Sequence, residues 1–456
     1  MHRPGAAFLA LGVVGLALAA GGRWRLGSGR QGFRPSAPSS LRSEAETAEL
    51  AIRFLEDRVK KDPKDFVALN RLAGYYLQRM RETGYLAYLQ LASRAARTSL
   101  SVFPAELNVG ALAALVRVEH ESHDFARARD DAMRLLELVP DEGYPYQLLG
   151  DALVELGAYD EAASAFREMT RRAGRSVNSE ARLARLAVLH GELELAQRRY
   201  REALALAAEL VPPSRETVAW CHWQLGESTF AAGDYDSAER EYRSALTSFP
   251  DYFRALASLA RVRAAQGDVS GAIDQYERVV RMIPEPVLVS ELGDLYQLAG
   301  RAKEAAAQYE LCERIGQLNA ASGTLYNRQL ALFYADHDLK LEEAHRLATD
   351  EYAVRRDVYG ADSVAWTALK AGRVGEAQTA IGEALRLGTR DARLLYHAGM
   401  ISRAAGSVGA ARDYLNRALT VNPQFDVRQA AIARRALAAD DMGSEGQLSK
   451  APRPLD

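Results

Sequence analysis

From residue 44 to about residue 440, apolar positions recur at helical spacing and glycine interrupts them at regular intervals. Apolar residues three and four apart line one face of a helix, and a glycine between two such runs ends one helix and starts the next. The pattern predicts successive helix–turn–helix units without strands. The units are copies of one another. The stretch from Tyr144 carries Leu149-Gly150, then Gly157, Tyr159, Ala162 and Phe166. The stretch from Val218 carries Leu225-Gly226, then Gly233, Tyr235, Ala238 and Tyr242 at the same offsets. Ala245 and Pro250 complete the second unit, and Ala260, Gly267, Ala272, Tyr276 and Pro284 repeat its pattern.

These residues resemble the tetratricopeptide repeat (TPR), whose 34-residue motif places them at positions 8, 15, 17, 20, 24, 27 and 32. In that register about ten units run over residues 66–424. One is degenerate, from Thr324 to Val354, and the unit after Leu69 carries an apparent seven-residue insertion before Ala92. A half-repeat helix at 44–65 precedes the array. A capping helix at 425–440 follows it, and 441–456 reads as a disordered tail. The resemblance implies an all-α TPR helix-turn-helix solenoid, a right-handed superhelix with a C-terminal capping helix. Small residues at positions 8 and 20 would let helices A and B approach, and the position-24 aromatic would fill the gap to the next unit. Such units are expected to touch only their neighbours.

Composition narrows the function. The 456 residues include 58 basic and 60 acidic side chains, so the clustered positive excess that nucleic-acid binding needs is lacking. The content of 48% hydrophobic and 26% charged residues is that of a folded chain. Two cysteines, Cys221 and Cys312, exclude a disulfide scaffold and a Cys-rich metal site. Residues 1–22 contain the apolar run Ala6 to Ala20 and read as a signal peptide or N-terminal membrane anchor. Residues 23–43 form a basic flexible linker with Arg23, Arg25, Arg30, Arg34 and Arg42. The expectation is a bacterial protein exported to the periplasm or cell envelope, or tethered to the inner membrane. Positive charge beside an apolar segment tends to stay inside, so a cytoplasm-facing anchor is the alternative.

The chain has no phosphate-binding glycine loop, HExxH, CxxC or GxSxG, and neither an enzyme nor a cofactor is expected. His120, His123 and Asp124, like Asp336, His337 and Asp338, fall at A–B turns, where polar residues are solvated. The chemistry lies in the groove. In the family, helix A lines the concave surface, and positions 2, 5, 9 and 12 face it. The register places Tyr144, Gln147, Asp151 and Val154 there, then Trp220, Trp223, Glu227 and Phe230. Arg254, Arg261, Asp294, Trp366, Tyr396, Met400 and Arg403 follow. Trp, Tyr and Arg favour recognition hot spots. The alternative is that Trp220 or Trp223 only packs the core. The Lys/Asn clamp by which some TPR domains grip chaperone C-termini is not matched by Ser290/Asp294 or Trp223/Glu227. The resemblance thus implies a protein–protein interaction scaffold for a peptide or partner protein, with an apolar anchor and an acidic residue fitting best. An accessory factor for envelope assembly, secretion, or polysaccharide or lipid transport is the other reading.

Overall fold

A computed structural model describes residues 44–448, apart from residue 212 and residues 322–327. The apolar N-terminal run and the basic linker lie outside the described residues. Residues 1–53 and 54–456 form two compact units. The described part of the first is the start of α1 (Glu44–Lys61), where Ala48 and Ile52 are buried. In the second unit, ten helix pairs follow. They are α2/α3 (Phe66–Thr83, Leu86–Val102), α4/α5 (Val109–Glu121, Phe125–Leu138), α6/α7 (Gly143–Glu155, Tyr159–Ala173), α8/α9 (Val177–Leu189, Leu193–Ala208) and α10/α11 (Arg215–Ala231, Tyr235–Ser248). Next come α12/α13 (Phe253–Ala265, Val269–Met282), α14/α15 (Pro286–Leu298, Ala302–Ala321), α16/α17 (Arg328–Asp336, Leu341–Val354), α18/α19 (Val358–Lys370, Val374–Ala384) and α20/α21 (Ala392–Ala404, Val408–Val421). The last helix, α22 (Gln429–Leu448), runs past the boundary at 440 suggested by the sequence. No strand occurs among the described residues, and no described helix is long and apolar enough to cross a membrane.

Each pair is built from local chemistry. Asp124, Asp234 and Asp268 stand just before helix B, and each accepts a hydrogen bond from a backbone N–H of the first turn. Such caps contribute about 1 kcal/mol each. Position 8 is small for a reason internal to the repeat. A Cβ on Gly226 would overlap the Tyr242 ring, and one on Gly150 the Phe166 ring. The position-24 aromatic thus lies across position 8 of its own helix A. Position 20 is alanine in all ten pairs, from Ala92 to Ala411, and each of these side chains is buried.

The array does not keep to neighbour-only contacts. Glu155, at the end of α6, is paired with Arg185 of the next repeat and with Arg355, 200 residues further along. The Val358 N–H donates to the Tyr159 hydroxyl (2.9 Å), and the Thr389 hydroxyl donates to the Leu189 carbonyl (2.6 Å). Asn422 Nδ2 donates to the Phe230 carbonyl (2.8 Å), while the Tyr235 hydroxyl donates to Asn422 Oδ1 (2.6 Å). Sequence separations in this series run from 187 to 200. The A–B turns of three consecutive repeats therefore sit on the ends of repeats one superhelical turn ahead. Gly157 makes the first of these contacts possible. Its φ is +77°, and a Cβ there would collide with the Arg356 carbonyl.

The turn contact predicts that Gly157→Ala forces α7 away from Arg356, strains a left-handed position and loosens the Glu155–Arg355 pair. A loss of roughly 2 kcal/mol or more in denaturant unfolding is expected. Gly372 has the same φ of +77° but open space around it. Gly372→Ala should cost only about 1 kcal/mol. Equal losses would mean that the turn-to-turn contact adds nothing.

Glu119 predicts a pH effect. It is 5% exposed, and burial, reinforced by Asp131, pushes its pKa up to about 8. With a folded-state pKa above the ordinary 4.5, its stabilising contribution is complete below pH 4.5 and is lost as pH rises through about 8. Glu119→Gln should therefore stabilise the protein above that range by roughly 2–4 kcal/mol and leave it unchanged at acid pH. Chemical denaturation at the two extremes measures the difference.

Candidate functional site

The helix A residues assigned to the groove separate into three groups. The first is core. Trp366, Tyr396 and Phe230 are 4%, 1% and 5% exposed, and Val154 is also buried. The Trp366 ring stacks on His397 (4.1 Å between centroids), and its Nε1 donates to Asp336 Oδ1 (2.8 Å). Tyr396 packs on Phe425, from the segment leading into α22. These aromatics were expected to face a partner. They are covered instead because the C-terminal repeats pack against the chain itself. Asp336 and His337, expected to be solvated at a turn, are likewise enclosed. His337 Nε2 lies 2.8 Å from Asp294 Oδ1, and its ring rests on Tyr309 and Phe333.

The second group is charged and self-paired. Position 9 alternates in sign along consecutive repeats: Asp151, Arg185, Glu227, Arg261, Asp294. Arg182 binds Asp151 through two nitrogens (2.8 and 2.6 Å), and Arg261 Nη2 reaches both oxygens of Glu227 (2.6 and 2.7 Å). Glu227 also accepts from the Tyr242 and Ser258 hydroxyls, both at 2.7 Å. Burial would raise this carboxyl, but Arg261 outweighs it and holds the group below the ordinary range. Asp294 is shared by Tyr309, His337 and Arg428.

The third group borders an opening. Trp223, Phe253, Arg254, Tyr276, Val287 and Leu288 line a recess of about 130 Å³ between α10, α12 and α14, with Glu227, Arg261, Glu285 and Glu291 at its edges. Trp223 is half-buried. Its Nε1 donates to Ser258 (3.0 Å), and the Arg254 guanidinium lies over its ring at 5.4 Å. Burial raises the pKa of Glu285 and of Glu291, and the Tyr276 hydroxyl donates to Glu291 (2.6 Å). Trp220, three residues earlier, packs among Ala203, Ala207 and Cys221 instead. Both tryptophans are half-buried and pack on the cluster around Tyr242 and Tyr252, and Trp223 in addition lines the recess.

Of the remaining assigned residues, Tyr144 is half-buried against the cluster around Leu112 and Leu135, and Gln147 is partly exposed. Met400 packs on the core around Leu415, and Arg403 is exposed near the end of α20. Glu285 and Glu291 were not found from sequence, because Glu285 lies in an inter-repeat loop and Glu291 off the four groove positions. Cys221 and Cys312 are buried free thiols, each with its pKa pushed up to about 12 by burial. Among the described residues, no group of three or more His, Cys, Asp or Glu side chains is arranged to hold a metal ion.

Residues 113–177, 223–285 and 365–426 match the sequence model of the tetratricopeptide repeat. No curated protein matches the chain. Among solved structures, it is similar to a tetratricopeptide repeat protein from Parabacteroides merdae ATCC 43184, at 18% identity and a TM-score of 0.33, over 58% of this chain and 98% of that one. It is also similar to MamA, at 17% identity and a TM-score of 0.29, over 37% of this chain and 94% of that one. Each matched stretch includes a helix pair in which a glycine at position 8 lies against the position-24 side chain of the same repeat (Gly150 and Phe166, Gly226 and Tyr242, Gly399 and Leu415), and these stretches are tetratricopeptide repeats.

Proposed function

We propose that this protein is an interaction scaffold that seats an apolar side chain of a partner protein in the recess between α10, α12 and α14, against Trp223. Tetratricopeptide repeats support protein–protein interaction in general. The observation that carries the finer reading is the recess itself. Trp366, Tyr396 and Phe230 are covered, whereas the half-buried Trp223 and the exposed Val287 line the recess. A volume of about 130 Å³ is that of roughly four water molecules, enough for one side chain and too little for a helix. An aromatic ring fixed by a hydrogen bond at such a place has the character of a hot spot.

A photo-crosslinking residue at Val287 identifies the partner. The same residue at Gly372, a turn with open space around it, is the control. With the partner in hand, Trp223→Ala is expected to weaken binding by about 2 kcal/mol or more. Melting should change little, because the ring is only partly buried. Destabilisation of about 3–5 kcal/mol with unchanged affinity of the folded molecules would assign Trp223 to core packing.

We propose further that the array works outside the cytoplasm or tethered to the membrane, on the strength of the apolar run Ala6 to Ala20. A reporter fused after Leu41 should then be active outside the cytoplasm. Activity confined to the inside would support the orientation suggested by the arginines at 23–42.

A further inference from the structure

The recess at Trp223 carries more negative charge than its own cations balance. It is lined by the carboxylates of Glu227, Glu285 and Glu291 and by the guanidiniums of Arg254 and Arg261. Glu227 is fully engaged, since Arg261 Nη2 reaches both of its oxygens at 2.6 and 2.7 Å. The other two acids have no such partner. Glu285 stands just before α14, and among the described residues its side chain makes neither a hydrogen bond nor an ion pair. Glu291, in the second turn of α14, receives only the Tyr276 hydroxyl, at 2.6 Å on one oxygen. The cations that act on these two groups are engaged elsewhere. Arg261 holds Glu227, and Arg393 pairs with Asp426 at 3.2 Å. The Arg254 guanidinium lies over the Trp223 and Phe253 rings, at 5.4 and 4.9 Å. Burial raises the pKa of both carboxyls, as it does where charge is withdrawn from water without a matching cation.

These two acids frame the apolar wall of the recess. Glu285, Val287, Leu288 and Glu291 come from one stretch of chain, 285–291, so carboxylate and apolar surface lie side by side along it. A side chain that fills the recess leaves its sequence neighbours at this edge. A lysine or arginine there lays an apolar stem on the wall and carries its charged head to the carboxylates. Hydrogen bonds of that kind, with both donor and acceptor charged, are among the strong ones.

We infer that a basic residue flanks the apolar residue that the recess receives, and that its cationic head is held by Glu285 and Glu291. This rests on the docking reading above and adds the charge of the ligand to it. The sign is opposite to the one expected from sequence alone, in which an acidic residue meets Arg254 and Arg261. Arg261 is consumed by Glu227, and Arg254 lies on two rings. The sign is also opposite to that of the family's Lys/Asn clamp, and the place differs. With Gly293 at position 8, Glu291 is at position 6, and Glu285 lies in the loop before the repeat.

Calorimetric titration of the full chain with N-acetylated, C-amidated Lys-Leu-Leu-Lys, Gln-Leu-Leu-Gln and Glu-Leu-Leu-Glu tests the assignment. The lysine peptide is expected to bind about tenfold or more tighter than the glutamine peptide, the ratio that one hydrogen bond to a charged group supplies. The glutamate peptide should bind no tighter than the glutamine one. Joint substitution Glu285→Gln and Glu291→Gln should abolish the lysine preference without lowering the melting temperature, because glutamine still accepts from Tyr276. If that variant melts lower, Glu285→Gln alone, which removes no hydrogen bond, must still weaken the lysine peptide, and an unchanged affinity there overturns the inference. Failure of the wild-type chain to bind the lysine peptide overturns it, as does a lysine preference that survives the joint substitution. A glutamate preference overturns it in favour of Arg254. Equal binding of the lysine and glutamine peptides, lost in Trp223→Ala, overturns the charge and leaves the apolar anchor standing. A lysine preference that needs Glu285 and Glu291 but is unaltered in Trp223→Ala sustains the charge and sinks only the anchor.

Discussion

The carboxylate of Glu155, enclosed between Arg185 and Arg355, is the constraint around which the array is organised. Burial alone would favour its protonated form, yet the two guanidiniums hold its pKa well below the ordinary carboxylate range. A buried ion pair is weak evidence for stability, but removing one member leaves charge without compensation, at a cost of several kcal/mol. Arg185 belongs to the adjacent repeat and Arg355 to one 200 residues on. One carboxylate thus fixes both a neighbour contact and a turn-to-turn contact. The Leu189–Thr389 and Phe230–Asn422 hydrogen bonds continue the same seam.

Because successive turns touch, the concave face has little room. Glu227 pairs with Arg261, while Asp151, Arg185 and Asp294 pair with Arg182, Glu155 and Arg428, so that face can be narrow without burying bare charge. An opening remains where a loop intervenes: the recess at Trp223 lies beside the Pro284-Glu285 loop.

The helix pairs were legible in the sequence because their causes are local. Gly226 under Tyr242, and Ala238 between two backbones, are contacts within about 16 residues, and such contacts leave a periodic trace. The state of the groove was not legible. Trp366 and Tyr396 occupy groove positions in the family register, but what covers them is His397 and Phe425, placed there by packing of the C-terminal repeats. Trp220 and Trp223 are indistinguishable by spacing, and only the neighbouring helices leave Trp223 at an opening.

The turn-to-turn seam also limits how this array can change length. The hydrogen bonds described above join points 187 to 200 residues apart, close to six repeats. Inserting or deleting one repeat between Tyr235 and Arg355 would shift every one of them by a whole helix pair, so Gly157 would meet the end of a different repeat rather than the Arg356 carbonyl. Repeats added beyond α1 or α22 would disturb none of them. The superhelix is therefore geared, like a thread of fixed pitch. It can be extended at its ends, while the count of repeats between its engaged turns is set by closure rather than by the stability of any single repeat.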